Sequence, residues 1–131
     1  MLRTEQRRQA VFALYQRDLT GRPLTETIPE EATPFARGLA YAVEDYQEEL
    51  DQHIAAHAKN WTLDRIAPVE RAILRVALLE ILHPEAVLGE KPVPPEAAID
   101  EAVETAKEFC GADAPKFVNG VLGAVVKEKV A

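Results

Sequence analysis

The chain has 131 residues, nearly half of them apolar, which suits one domain with a sizeable core. No apolar run reaches membrane-span length, the N-terminus MLRTEQRRQ lacks a secretory h-region, and the lone Cys110 excludes a disulfide framework or a cysteine-based zinc cluster and fits a reducing cytoplasm. The net charge of −7 argues against a general nucleic-acid coat, yet residues 1–23 carry Arg3, Arg7, Arg8, Arg17 and Arg22 against Glu5 and Asp18, a balance of +3 that leaves −10 elsewhere.

The apolar periodicity is helical almost throughout. TEQRRQAVFALYQRDL predicts a first helix with Val11, Leu14 and Tyr15 on one side, capped by Thr4 and ended by Gly21 and Pro23. RPLTETIPEEAT reads as a loop with room for one short helical turn. Thr33 then caps a long helix with Pro34 at its first position, where the missing N–H costs nothing. Phe35, Leu39, Ala42, Val43, Tyr46, Leu50 and Ile54 recur along it at helical spacing, to about Lys59. NWTLDRIAP is a bend. Pro68 starts VERAILRVALLEIL, apolar on nearly every side with Glu70, Arg71 and Arg75 as relief, so it belongs at the centre.

The proline-rich HPEAVLGEKPVPP, within residues 83–95, is a surface connection. EAAIDEAVETAKEF follows, with Ile99, Ala102, Val103, Ala106 and Phe109 as its core stripe and Gly111 as a left-handed cap. Asp113 caps the last helix, which ends near Lys129. The sum is an all-α compact bundle of about five to seven helices in a single domain. Its N-terminal helical half covers about residues 1–60 and its C-terminal half about 61–131.

Few residues ask for chemistry. His53 and His57 are four apart and can face one metal, but HIAAH lacks a third ligand or the glutamate of a zinc protease, so both read as surface histidines. Glu101, Glu104 and Glu108 read as exposed solubilising charge, with a weak Glu104–Lys107 pair. Cys110 reads as a half-buried structural thiol. No phosphate loop or nucleophile constellation is present, so no enzyme, metal or cofactor is expected.

The last helix poses a question. Lys116, Gly120, Gly123 and Lys127 share one face, while Phe117, Val121, Leu122 and Val125 turn toward the core. Each glycine costs on the order of 1 kcal/mol relative to alanine, and close approach of another helix at Gly120 is the expected compensation. Asp113, Lys116 and Phe117 surround a helix N-terminus, where free N–H groups and the dipole favour an anion. Lysine and phenylalanine there can seat one phosphate and one unpaired base, although Phe117 reads equally well as a core residue.

FVNGVL after AIDEAVETAKEF resembles the C-terminal signature of the NusB transcription antitermination proteins. VERAILRVALLEIL is similar to their central helix, and RRQAVFALYQRD to their N-terminal arginine-rich helix; the three stand in the family's order across nearly the whole chain. The resemblance implies two small helical bundles packed across one another, without enzymatic activity. It implies a heterodimer with a small-subunit ribosomal protein, also called NusE, that holds boxA-type RNA of nascent ribosomal transcripts within the transcription elongation complex. By position, Arg3, Arg7 and Arg8 fall in the arginine-rich segment, with Arg3 and Arg7 on one face for RNA phosphates. Tyr15 matches the tyrosine closing that segment, and Lys116 and Phe117 the pair near the RNA path. Asp113 and Glu70 match acidic positions at the partner-protein face. The glycines would serve packing.

The departures from the family pattern also carry expectations. Thr4 and Glu5 stand where many members have basic residues, so affinity for RNA alone should be modest and salt-dependent. The connection after His83 is longer than usual and would alter the ribosomal-protein contact if it lies near that face. Some members self-associate over the arginine-rich region, so a homodimer is an alternative state. A helical protein adaptor with weak or lost RNA binding is the competing reading.

Overall fold

The computed structural model describes residues 2–59, 61–87 and 91–130, with nothing described for the Val130 side chain. Asn60 in the expected bend and residues 88–90 of the proline-rich connection lie outside the described residues. Six α-helices form among them: α1 (Arg3–Thr20), α2 (Leu24–Thr27), α3 (Pro34–His57), α4 (Pro68–Leu82), α5 (Pro95–Phe109) and α6 (Ala114–Val130). Single 3-10 turns at Leu63–Arg65 and Pro84–Ala86 flank α4.

Local chemistry sets most of the boundaries. The Leu2 N–H donates to the Glu5 carboxylate at 3.1 Å, so α1 starts two residues earlier than a Thr4 cap would allow. Thr4 is instead inside the helix, and its hydroxyl donates to Glu101 of α5 at 2.8 Å. Gly21 ends α1 at φ 75°, a left-handed conformation that glycine adopts without strain, and its N–H returns to the Arg17 carbonyl. Thr33 caps α3 by accepting from the Ala36 N–H at 3.2 Å, with Pro34 at the first position. The C-terminus of α5 corrects the sequence expectation: Cys110 is its cap with extended backbone, and Gly21 alone is a positive-φ glycine among the described residues. Gly111 is therefore not a left-handed cap.

α4 is the central pillar. Residues 72–81 are all buried, and α1, α3, α5 and α6 pack around it. One hydrophobic cluster joins Leu14, Leu39, Leu50, Ile54, Leu74, Leu78, Val118 and Leu122 from four of the helices. Each such side chain contributes about 1.5–3 kcal/mol by leaving water. Arg75, charged but 4% exposed, clamps α1 and α3 onto this pillar. It donates to Asp18 at 2.6 Å and to both oxygens of Asp51 at 2.8 and 3.0 Å. These two carboxylates hold the guanidinium in its charged form against the burial that opposes it.

The core stripe of α5 is Ala98, Ala102, Thr105 and Ala106, with Ile99 and Val103 only partly buried. Phe109 is 43% exposed and belongs to the surface, and Glu101 is half-buried rather than solvated. The short residues on α5 let it lie close to α4, which pushes the large Phe109 to the rim.

Candidate nucleic-acid interface

Helix direction decides which basic residues meet. Arg7 pairs with Glu80 near the C-terminal end of α4, and Asp18 pairs with Arg75 nearer its N-terminal end, so α1 runs antiparallel to α4. Thr4 meets Glu101 and Arg8 meets Glu108, so α1 runs parallel to α5.

The first patch gathers at the start of α1. The Arg3 guanidinium lies 4.2 Å from the centroid of the Phe35 ring and that of Arg7 lies 5.5 Å from it. Arg3 also donates to Gln6 at 2.7 Å, and Gln6 accepts from Thr33 at 2.7 Å, tying the patch to the cap of α3. Arg7 donates through Nε and Nη2 to the Glu80 carboxylate at 2.8 and 3.0 Å, in a largely buried two-point pair. The expected shared face of Arg3 and Arg7 is therefore present, but part of the Arg7 charge is matched by Glu80. Lys91, Pro92 and Val93 line the same groove of about 110 Å³ with Arg3, Arg7, Phe35 and Glu80. This part of the long connection thus lies on the arginine side of the molecule and adds a cation there.

Arg8 turns away from that groove. Its guanidinium bonds Glu108 at 2.7 Å and lies 5.3 Å from the centroid of the Phe109 ring, which meets Phe12 edge-on at 4.9 Å. The open shelf between α1 and α5 carries Asp100, Glu101 and Glu104 beside Arg7 and Arg8, a poor seat for phosphate. Tyr15 is half-buried against the core.

The second patch is at the start of α6. Lys116 is exposed, and Phe117 is half-buried with its N–H donating to the Asp113 carbonyl at 3.2 Å. Together they line an open groove with His57, Lys59, Trp61 and Gly120. Gly120 and Gly123 overturn the packing expectation: an added Cβ at either meets nothing within 4 Å. No helix approaches them, because α6 turns its other face, Val118, Val121, Leu122 and Val125, to the core.

Glu70 sits in the first turn of α4, where burial pushes its carboxyl above the usual range against an opposing backbone hydrogen bond from Ala67. Burial of the thiol, and after it the charge of Glu70, raise Cys110, which puts Glu70 near the end of α5 that leads to Asp113. The two expected partner-face acids therefore fall at one end of the bundle. His57 Nε2 lies 3.0 Å from Glu128, and the described residues hold no group of three potential metal ligands that includes either His53 or His57.

The basic α1 groove and the Lys116–Phe117 groove thus stand at opposite ends of α4.

The NusB family model matches residues 4–127. The chain belongs to the NusB family. It is 41% identical over 144 residues to the transcription antitermination protein NusB of Symbiobacterium thermophilum, covering 97% of this chain and 90% of that protein. It is 39% identical over 130 residues to the Bacillus subtilis transcription antitermination protein NusB, covering 95% of each. Among solved structures, T. maritima NusB superposes with a TM-score of 0.85 at 28% identity, covering 98% of this chain and 92% of that one. A crystal structure of antitermination factors NusB and NusE in complex with dsRNA gives 0.79 at 28% identity, covering 98% and 99%. NusB family members thus share the all-helical architecture seen here.

Sequence reasoning missed Phe35, Glu80, Lys91 and Trp61 as neighbours of the basic residues. Glu80 carried a legible signal, since a carboxylate inside the apolar run LLEIL calls for a cation. Lys91 carried none, because its place depends on how the connection folds back.

Proposed function

We propose that the protein is a transcription antitermination factor that pairs with a NusE-type small-subunit ribosomal protein and holds boxA-type nascent ribosomal RNA, supporting processive transcription in the cytoplasm. It acts by binding and not by catalysis. Arg3 and Arg7 present cations over Phe35 for the RNA backbone, joined by Lys91, and Lys116 and Phe117 take a phosphate and an unpaired base. Arg8 orients Phe109 at the α1–α5 rim, and Glu70 and Asp113 face the partner protein.

The observation that carries this reading is the presence of two separate cationic grooves on an otherwise acidic body. The relatives' shared description as antitermination proteins supports it. The test is fluorescence anisotropy on labelled boxA-type RNA, with and without the cognate ribosomal protein, at two salt concentrations. Weak binding that tightens several-fold with the partner and disappears with scrambled RNA is the expected result. Complex formation with the partner but no RNA binding would instead establish the adaptor reading, which the pairing of Arg7 by Glu80 favours.

A further inference from the structure

The groove at the start of α6 has a second wall, built by the connection between α3 and α4. Trp61 is the only tryptophan in the chain and is 52% exposed. It is not exposed because its segment is loose. Ala58 and Ile66 on either side are buried at 3%, Leu63 packs on the core, and the Trp61 N–H donates to the Ala58 carbonyl at 3.0 Å. Arg71 holds the same segment by donating to the Leu63 carbonyl at 3.2 Å. The described residues after Asn60 are pinned by these apolar neighbours, and the indole faces outward. Across the groove stands α6 with Lys116, Phe117 and the open backbone at Gly120, and Lys59 adds a second cation. The groove measures about 500 Å³.

We propose that this groove is a stacking seat for unpaired nucleotides, with Trp61 as the platform and Lys59 and Lys116 as phosphate contacts. It would extend the bound RNA beyond the Lys116–Phe117 pair. Charge complementarity selects this occupant: two lysines face Asp113 alone among the carboxylates that line the groove, on a chain whose overall charge is −7. An aromatic platform flanked by cations suits a nucleobase and its phosphate, because every base has a π-face. The glycine supports the same occupant, since a helix without side chains at Gly120 admits a flat ring or sugar to the backbone. This inference rests on the RNA-binding reading above and adds a residue and a subsite to it.

The experiment uses the full chain with a tryptophan-free version of its ribosomal protein partner. The probe is boxA-type RNA with or without an unpaired adenosine tract at either end. Indole fluorescence and anisotropy are followed in the same titration. Stacking predicts saturable quenching of Trp61 that tracks binding of the extended RNA. Trp61→Ala should weaken that RNA about tenfold and leave the short RNA unaffected, with Trp61→Phe recovering most of the loss. Lys59→Gln should lower the salt slope by about one. Thermal unfolding verifies that each variant is folded. RNA binding with unchanged indole emission and a neutral Trp61→Ala would overturn the inference while leaving the function intact. Quenching by the ribosomal protein before RNA is added would also overturn it, by assigning the groove to protein. Absence of any RNA binding by the parent heterodimer would sink the functional reading itself.

Discussion

Replacing Gly120 and Gly123 with alanine should stabilise the protein, and the size of the gain follows from the structure. Both glycines lie in the interior of α6, neither has positive φ, and a Cβ at either position meets nothing within 4 Å. No steric cost therefore offsets the helix-propensity gain of about 1 kcal/mol per substitution, or about 2 kcal/mol for Gly120→Ala/Gly123→Ala. A chain of 131 residues unfolds with an entropy of about 275 cal/mol/K near its midpoint, so the double variant should melt about 7 °C higher. Differential scanning calorimetry reads this directly. Gly21→Ala is the opposing control: at φ 75° the methyl group is strained, and the midpoint should fall. A double variant that melts at or below the parent temperature would refute the reasoning and mean that a contact at this face stabilises the glycines. The same variant should bind extended RNA more weakly, because the groove loses its open backbone at Gly120.

Three further outcomes follow from the charge network. Arg75→Met removes the cation that Asp18 shares with Asp51 and leaves Asp51, 21% exposed in its side chain, without that partner, while Asp18 keeps Arg17; urea titration should show a loss of about 3 kcal/mol. Adding Asp18→Asn and Asp51→Asn should restore most of it. The Glu70 carboxyl is held above its usual value of 4.5, so the folded state favours the proton; its stabilising share is complete below pH 4.5 and lost as pH rises through the folded value. Glu70→Gln should therefore melt like the parent in acid and above it at neutral pH, and a constant difference across a pH series of melting curves would count against this. Lys116→Gln should leave stability unchanged and lower the salt slope of RNA binding by about one, whereas Arg7→Ala should also destabilise by about 3 kcal/mol through the uncompensated Glu80. Equal melting of these two variants would show that the Arg7–Glu80 pair contributes nothing to the fold.

Much of this architecture was legible in order. Thr33 and Pro34 announce the start of α3, Gly21 the end of α1, and the unbroken apolar run after Pro68 the burial of α4. These are local signals: capping, backbone freedom and periodicity act within a few residues. The candidate site was only half legible. The residue types Arg3, Arg7, Lys116 and Phe117 stood out, and their charge and helix faces follow from spacing. Their partners did not. Phe35 beneath two arginines, Glu80 on Arg7, Lys91 in the same groove and Trp61 across from Lys116 all lie far away in sequence.

Helix content, the central place of α4 and the basic character of the N-terminus were thus determined by the sequence alone, because short-range sterics, hydrogen bonding and apolar periodicity are written into neighbouring residues. Tertiary structure alone decided that Phe109 is a rim residue, that Gly120 and Gly123 face open space, and that the two cationic grooves stand at opposite ends of α4. The reason is physical: periodicity names the face a residue occupies on its own helix, but the direction and crossing of the helices determine what that face meets.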